Sequence, residues 1–230
     1  MSWNRPSIIG NEDTLCVHGA DRAEYRIPFT FIQALNEGVL FDRSARVFKE
    51  AAQAHQLFEV VNTRTEALIG TCILHDNPVA VGRQCEVGGM MIHPGARHLG
   101  LNTLLTKVVM VRELCLRQQP EAGIEYIAHV VDGNSGPVHS LMQSGFRPKE
   151  RVIVKPGDVD ADIAHMIEPG TDGVAMQSYV FDKNRLLDLA LDVRNFLRAE
   201  CMIRTDDLSV HIDLSAMIGL ETLDRFLDGR

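Results

Sequence analysis

Glu86-Val87-Gly88-Gly89-Met90-Met91-Ile92-His93-Pro94-Gly95-Ala96-Arg97-His98-Leu99-Gly100-Leu101-Asn102-Thr103-Leu104-Leu105 is the stretch on which the fold of this chain turns. Cys85–Ile92 reads as a buried strand, His93-Pro94-Gly95 ends it, and Arg97-x-x-Gly100 stands directly ahead of a helix. That helix has the strongest signal in the chain. Leu101, Leu104, Leu105, Val108, Val109, Arg112 and Cys115 recur at helical spacing, and all but the arginine are apolar. The first backbone N–H groups of a helix have no internal partner and point beyond its end, where the dipole is positive. Glycine at that point removes the Cβ that would keep a pyrophosphate at a distance, and an arginine just ahead adds charge-assisted hydrogen bonds. The loop is not Gly-x-Gly-x-x-Gly and no Gly-Lys-Ser/Thr follows it, so dinucleotide and Walker readings are weak.

Upstream, Thr14–His18 is a short strand, and Pro28–Leu35 and Ser44–His55 read as helices, the second opening on a serine cap. Leu57–Asn62 and Ala67–Leu74 are strands joined by the polar Thr63-Arg64-Thr65-Glu66, a hairpin signal. Downstream, Ile124–Val131 is a strand and Pro137–Ser144 a short helix with proline in its first turn and Gly145 past its end. Arg151–Val154 and Val174–Phe181 are further strands around an acidic loop holding Asp158, Asp160, Asp162, Glu168 and Asp172. Asp182 caps a helix running to Leu197, and Leu208, Val210, Ile212 and Leu214 alternate with polar residues as a half-buried strand. Ser215–Asp228 closes the chain as a last helix. The order is that of an α/β protein with an early antiparallel stretch, and not the strict alternation of a doubly wound fold.

Composition bounds the function. The 230 residues are 45% hydrophobic and 23% charged, as expected for one large globular domain or one domain with an elaboration. Net charge is −8, of which residues 1–149 carry −1 and residues 150–230 carry −7. A nucleic-acid binder needs a basic footprint, and this balance argues against one while suiting a cationic partner. The cysteines Cys16, Cys72, Cys85, Cys115 and Cys201 are odd in number and without a Cys-x-x-Cys pair, a pattern of reduced thiols. The nine histidines form no metal motif, so no metal is expected. No window reaches the roughly 18 apolar residues of a membrane span, and no signal-like run opens the chain. A cytoplasmic protein with no membrane partner is the expectation.

Arg97-His98-Leu99-Gly100-Leu101-Asn102 resembles the Gln/Arg-x-x-Gly-x-Gly/Ala loop of the GNAT-type N-acyltransferase superfamily, matching at Arg97 and Gly100, with Asn102 in place of the last small residue. Asn134, Leu141 and Gly145-Phe146 resemble the family's Asn…Leu-Tyr-x-x-x-Gly-Phe segment on its fourth helix. The element order fits the family from about residue 14 to residue 181. The resemblance implies a mixed, mostly antiparallel central sheet with splayed fourth and fifth strands flanked by helices. Residues 1–181 are then the acyl-CoA-binding domain, and residues 182–230 a C-terminal helix-strand-helix extension packed on it.

The same resemblance implies transfer of an acyl group, acetyl by preference, from acetyl-CoA to an amine by direct attack in a ternary complex. The acceptor is a small-molecule or peptide amine. Met91 and Ile92 would supply main chain to the pantetheine arm and an oxyanion donor. Arg97, His98, Leu99, Gly100, Leu101, Asn102 and Thr103 would hold the pyrophosphate, with Asn134 beside the donor. Glu86 is the candidate base that takes the amine proton, and His93 the second candidate. His129 reads as a satisfied core or cleft histidine, and Cys72 and Cys85 as buried hydrophobes. Leu141 stands where many family members place the tyrosine that protonates the leaving thiolate, so either solvent or another donor such as Tyr126 serves, or transfer is slow or absent. The rivals are a non-catalytic acyl-CoA-binding module on the same fold, a transferase whose Gly88 and Gly89 make room for a longer acyl donor, and a homodimer paired through the Leu208–Leu214 strand.

Overall fold

In a computed structural model that describes residues 8–36, 43–78, 83–116, 123–159, 164, 167 and 170–229, nine strands share one sheet. They are β1 (Thr14–Gly19), β2 (Leu57–Asn62), β3 (Leu68–Pro78), β4 (Arg83–Ile92), β5 (Ile124–Val131), β6 (Phe146–Val154), β7 (Val174–Phe181), β8 (Met202–Arg204) and β9 (Ser209–Asp213). The helices are α1 (Arg26–Leu35), α2 (Ala45–Gln53), α3 (Leu101–Leu116), α4 (Ser135–Gln143), α5 (Leu186–Arg198) and α6 (Leu220–Asp228). The strands lie in the order β6-β7-β5-β4-β3-β2-β1-β9-β8. Every neighbouring pair is antiparallel except β4–β5 and β1–β9. This is the mixed, mostly antiparallel sheet that the family resemblance implied.

Local signals place most elements. The Ser44 hydroxyl accepts from the Val47 N–H at 3.3 Å and opens α2. Gly145, at φ +86°, ends the turn after α4. Asp182 is a cap, but of a 3-10 turn over Lys183–Arg185 that leads into α5, its carboxylate accepting from the Asn184 N–H at 3.0 Å. β8 has only three residues, too few for a periodic signal, and exists because β9 offers it a ladder.

Helices cover both faces of the sheet. On one face α1 and α2 enclose Phe48, Ala52, Leu57, Ile73 and Met91. On the other, a larger core joins Leu105 and Val109 of α3, Leu141 of α4, Leu189 of α5, Ile212 of β9 and Leu223 of α6. The apolar stripe read along α3 understates its burial, since four successive residues, Val108, Val109, Met110 and Val111, have no exposure at all. A helix buried all round lies between two layers, here the sheet and the helix α5 packed on its outer side.

The residues after Phe181 share this core. β9 pairs in parallel with β1 on one side and antiparallel with β8 on the other. The expectation that this strand offers a free edge to a second copy is therefore corrected: both of its ladders are filled within the chain. Of the acidic loop, Asp160, Asp162 and Glu168 lie outside the described residues, whereas Asp158 and Asp172 are exposed. Among the described residues no helix is long and apolar enough to cross a membrane.

Candidate active site

β4 and β5 are paired only from Arg83↔Ile124 to Glu86↔Ile127. Beyond that point β5 keeps its ladder with β7 while β4 keeps its ladder with β3, and the two strands part. A bulge shapes β4 within the gap. Gly89 and Met90 together stand opposite Cys72, Gly89 has φ +54°, and the Thr71 hydroxyl donates to the Gly89 carbonyl at 2.8 Å. One extra residue reverses the alternation of a strand. Cys85, Val87 and, past the bulge, Met90 and Ile92 accordingly belong to the α3 core, while Met91 belongs to the α1–α2 core. The His93 N–H donates to the Ile69 carbonyl at 2.8 Å. Alternation therefore turns the main-chain groups of Ile92 the other way, toward the gap, where its carbonyl accepts from Arg97 Nε at 3.3 Å.

The chain leaves β4 through a 3-10 turn at Pro94–Ala96 and enters α3 with His98 at φ +76° and Gly100 at φ +71°. Leu104 N–H is the first to bond within the helix, to the Gly100 carbonyl at 3.0 Å. The amides of Leu101, Asn102 and Thr103 find no acceptor among the described residues, as expected of a first turn. Asn102 Oδ1 is buried there with no hydrogen-bond partner among the described residues. A cavity of about 960 Å³ opens over this corner. All ten residues singled out in the sequence for donor binding line it: Met91 and Ile92 from β4, Arg97 to Thr103 at the entry of α3, and Asn134 ahead of α4. Unpaired amides, an orphaned amide oxygen and an arginine around one cavity suit a phosphate-bearing ligand with further polar groups.

No family model matches the chain, and no curated protein matches it either. Solved structures do. The chain is similar to an N-acetyltransferase from Staphylococcus aureus Mu50, with a TM-score of 0.52 over 73% of this chain and 97% of that one at 10% identity. It is similar to Arabidopsis thaliana Naa50 in complex with the bisubstrate analogue CoA-Ac-MVNAL, with a TM-score of 0.53 over 73% and 98% at 10% identity. It is also similar to a mutant of the spermidine N-acetyltransferase SpeG from Vibrio cholerae, with a TM-score of 0.51 over 76% and 96% at 16% identity. The fold is that of the GNAT N-acetyltransferases. At these identities the likeness is one of architecture.

Within this GNAT fold, neither Glu86 nor His129 lines the cavity; the β4–β5 ladder places both. Glu86 lies at the last rung of that ladder with its side chain only 8% exposed. Its Oε1 is 2.5 Å from Arg43 Nη2 and 3.2 Å from His129 Nδ1. His129 lies on β5 just past the point where the strands part, with its side chain 23% exposed. Gly88 makes this cluster fit, because a Cβ there would come within 2.5 Å of Arg43 Nη2. The same fact corrects the expectation of room for a longer acyl group. The space beside Gly88 is filled by Arg43, and a Cβ on Gly89 would meet Ile73 Cδ1 at 2.7 Å. Arg43 and the Glu86–His129 contact leave no signal in the sequence, because the partners are 43 residues apart in the chain and no spacing rule joins them.

The other candidates have settled places. His93 Nδ1 accepts from the Gly95 N–H at 3.1 Å, and burial together with the Arg97 charge lowers the pKa of this imidazole. It serves the turn. His75, opposite Glu86 on β3, is also lowered by burial and by Arg43. Tyr126 is buried with its hydroxyl donating to Glu113 Oε1 at 3.4 Å, away from the cavity. Leu141 turns into the core, and α4 lines the cavity with Gly136, Pro137, His139, Ser140 and Gln143. Burial pushes the Cys72 thiol up to about 12, so it stays protonated and inert.

Proposed function

We propose that this protein is an acyl-CoA-dependent N-acyltransferase that moves acetyl from acetyl-CoA to an amine by direct attack in a ternary complex. The observation that carries the reading is the gap. The parallel ladder stops at Glu86↔Ile127, and past that point the freed end of β4, Met90–Ile92, lines a cavity that runs to the unpaired amides of α3. A donor with a pyrophosphate, a long amide-bearing arm and a thioester is shaped for that path. Arg97 and the amides of Leu101, Asn102 and Thr103 hold the pyrophosphate, with Asn102 Oδ1 accepting from a donor group of the ligand. Ile92, whose main chain faces the gap, pairs with the arm and offers its N–H to the developing oxyanion, whereas the main chain of Met91 turns to β3 and leaves that role to Ile92. Asn134 holds the arm from the α4 side.

The amine must lose a proton as it attacks. Glu86 and His129 do this together: the Glu86 carboxylate, anchored by Arg43, fixes the imidazole through Nδ1, and Nε2 is left to receive the proton. Glu86 so acts through His129. The similar proteins support an amine acceptor: a peptide is part of the analogue bound to Naa50, and SpeG is named for spermidine. A small-molecule or peptide amine is the substrate class proposed here, and the acidic C-terminal third favours a cationic one.

Thiol release from acetyl-CoA over a panel of primary amines tests this. Glu86→Gln and His129→Gln should each lower kcat/KM about 100-fold with little change in the KM for acetyl-CoA, and the double variant should be no worse than either. An unchanged kcat/KM in Glu86→Gln removes the pair from the chemistry. A second reading, a non-catalytic acyl-CoA-binding module, draws on Leu141, which puts an apolar side chain where a proton donor is common in the family. Tight acetyl-CoA binding without thiol release for any amine would select it.

A further inference from the structure

We infer that the segment after Phe181 supplies the seat for the nucleoside end of the donor, with the base of coenzyme A lying against Phe196 of α5. This rests on the acyl-CoA reading above and extends it to residues outside the motifs that carry the family resemblance. The cavity does not stop at the entry of α3. It continues past Thr103 and Lys107, which are one helical turn apart on the same face, into a trough between α4 and α5. A pyrophosphate held at the entry of α3 has two substituents. One follows β4 into the gap, and the other must leave along this trough.

The trough has the chemistry of a purine site. Phe196 on α5 and Ile203 on β8 are partly buried apolar walls, and an aromatic face stacks on a base. Asn195 and Gln143, on opposite banks, carry amides that both donate and accept, as a purine edge requires. Lys107 Nζ lies 2.6 Å from Asp192 Oδ2, so an ion pair ties α3 to α5 and sets the spacing of the trough. An ammonium has three donors, which leaves two for a phosphate on the ribose.

Calorimetric titration with acetyl-CoA and with S-acetyl-4′-phosphopantetheine, which lacks the nucleoside, tests the seat. The wild type should bind acetyl-CoA more tightly than the truncated donor. Phe196→Ala should weaken acetyl-CoA binding about tenfold and leave the truncated donor unaffected. Should Phe196→Ala fail to fold, Asn195→Ala, at an exposed position, should show the same selectivity with a smaller loss. Equal affinity of the wild type for both donors overturns the seat, as does an equal loss for both donors in a folded Phe196→Ala, or no loss in either variant. A wild type that binds neither compound instead sinks the acyl-CoA reading, and the seat with it.

Discussion

Glu59 shows how burial of one charge is tolerated away from the candidate site. Its carboxylate sits on β2 with its side chain 8% exposed, His18 Nδ1 is 4.0 Å away, and burial raises its pKa above the ordinary 4.5 more than His18 lowers it. A raised folded-state pKa means that the folded protein holds the proton more tightly than the unfolded chain. The stability this provides is present in acid and is lost as pH rises through the folded value. Glu59→Gln should therefore raise the Tm at pH 8, with the difference shrinking toward pH 4, measured by thermal unfolding across that range. Asp13 has the opposite sign. Arg64, Asn62 Nδ2 and the Gly10 N–H all donate to its buried carboxylate and hold its pKa well below the usual carboxylate range, so its contribution is kept at neutral pH and lost only in strong acid. The Glu86 cluster differs from both in being built across strands, with Arg43 admitted by the missing side chain of Gly88.

At the scale of elements, two backbone features set the geometry of the cavity. The bulge at Gly89 and Met90 exchanges the faces of the last residues of β4, and so sends Ile92 to the α3 side with its main chain toward the gap. Unbroken period-two alternation through Cys85–Ile92 would put these faces the other way round, because the extra residue is visible only against β3. The second feature is the left-handed Gly100 at the entry of α3. A Cβ there would meet nothing within 4 Å, so alanine costs only conformational strain, about 1 kcal/mol. In the proposed complex, however, that Cβ would stand where the donor phosphate approaches the amides of Leu101–Thr103. Gly100→Ala should shift the Tm by about 2–4 °C while reducing acetyl-CoA affinity tenfold or more, read by thermal unfolding and calorimetry on the same preparation. Affinity that falls only in proportion to stability would separate this glycine from the ligand.

For the whole molecule, the C-terminal residues belong to the same core as the rest of the sheet. β9 lies inside the sheet, and Ile212 on it is fully buried in the same core as α3. Ile212→Ala should cost about 3 kcal/mol, or roughly 10 °C in Tm, in a single cooperative transition. A separate low-temperature transition would instead mean that residues 182–230 unfold on their own. The coupling has a reason in α3. Its outer side carries apolar residues that need a cover, and α5 both provides it and forms the second bank of the cavity.

The chain by itself determined the order of its elements and the corner where Arg97, Gly100 and the first turn of α3 meet. Caps, glycines and apolar spacing act over a few residues, so they can be read without knowing what lies opposite. Pairing across the chain was decided only in three dimensions. The parallel insertion of β9 beside β1, the bulge in β4, the Arg43–Glu86–His129 cluster and the α5 bank each depend on which strand or helix becomes a neighbour. That choice is made by burying the largest apolar surface consistent with satisfied ladders, a property of the whole fold that no local window contains.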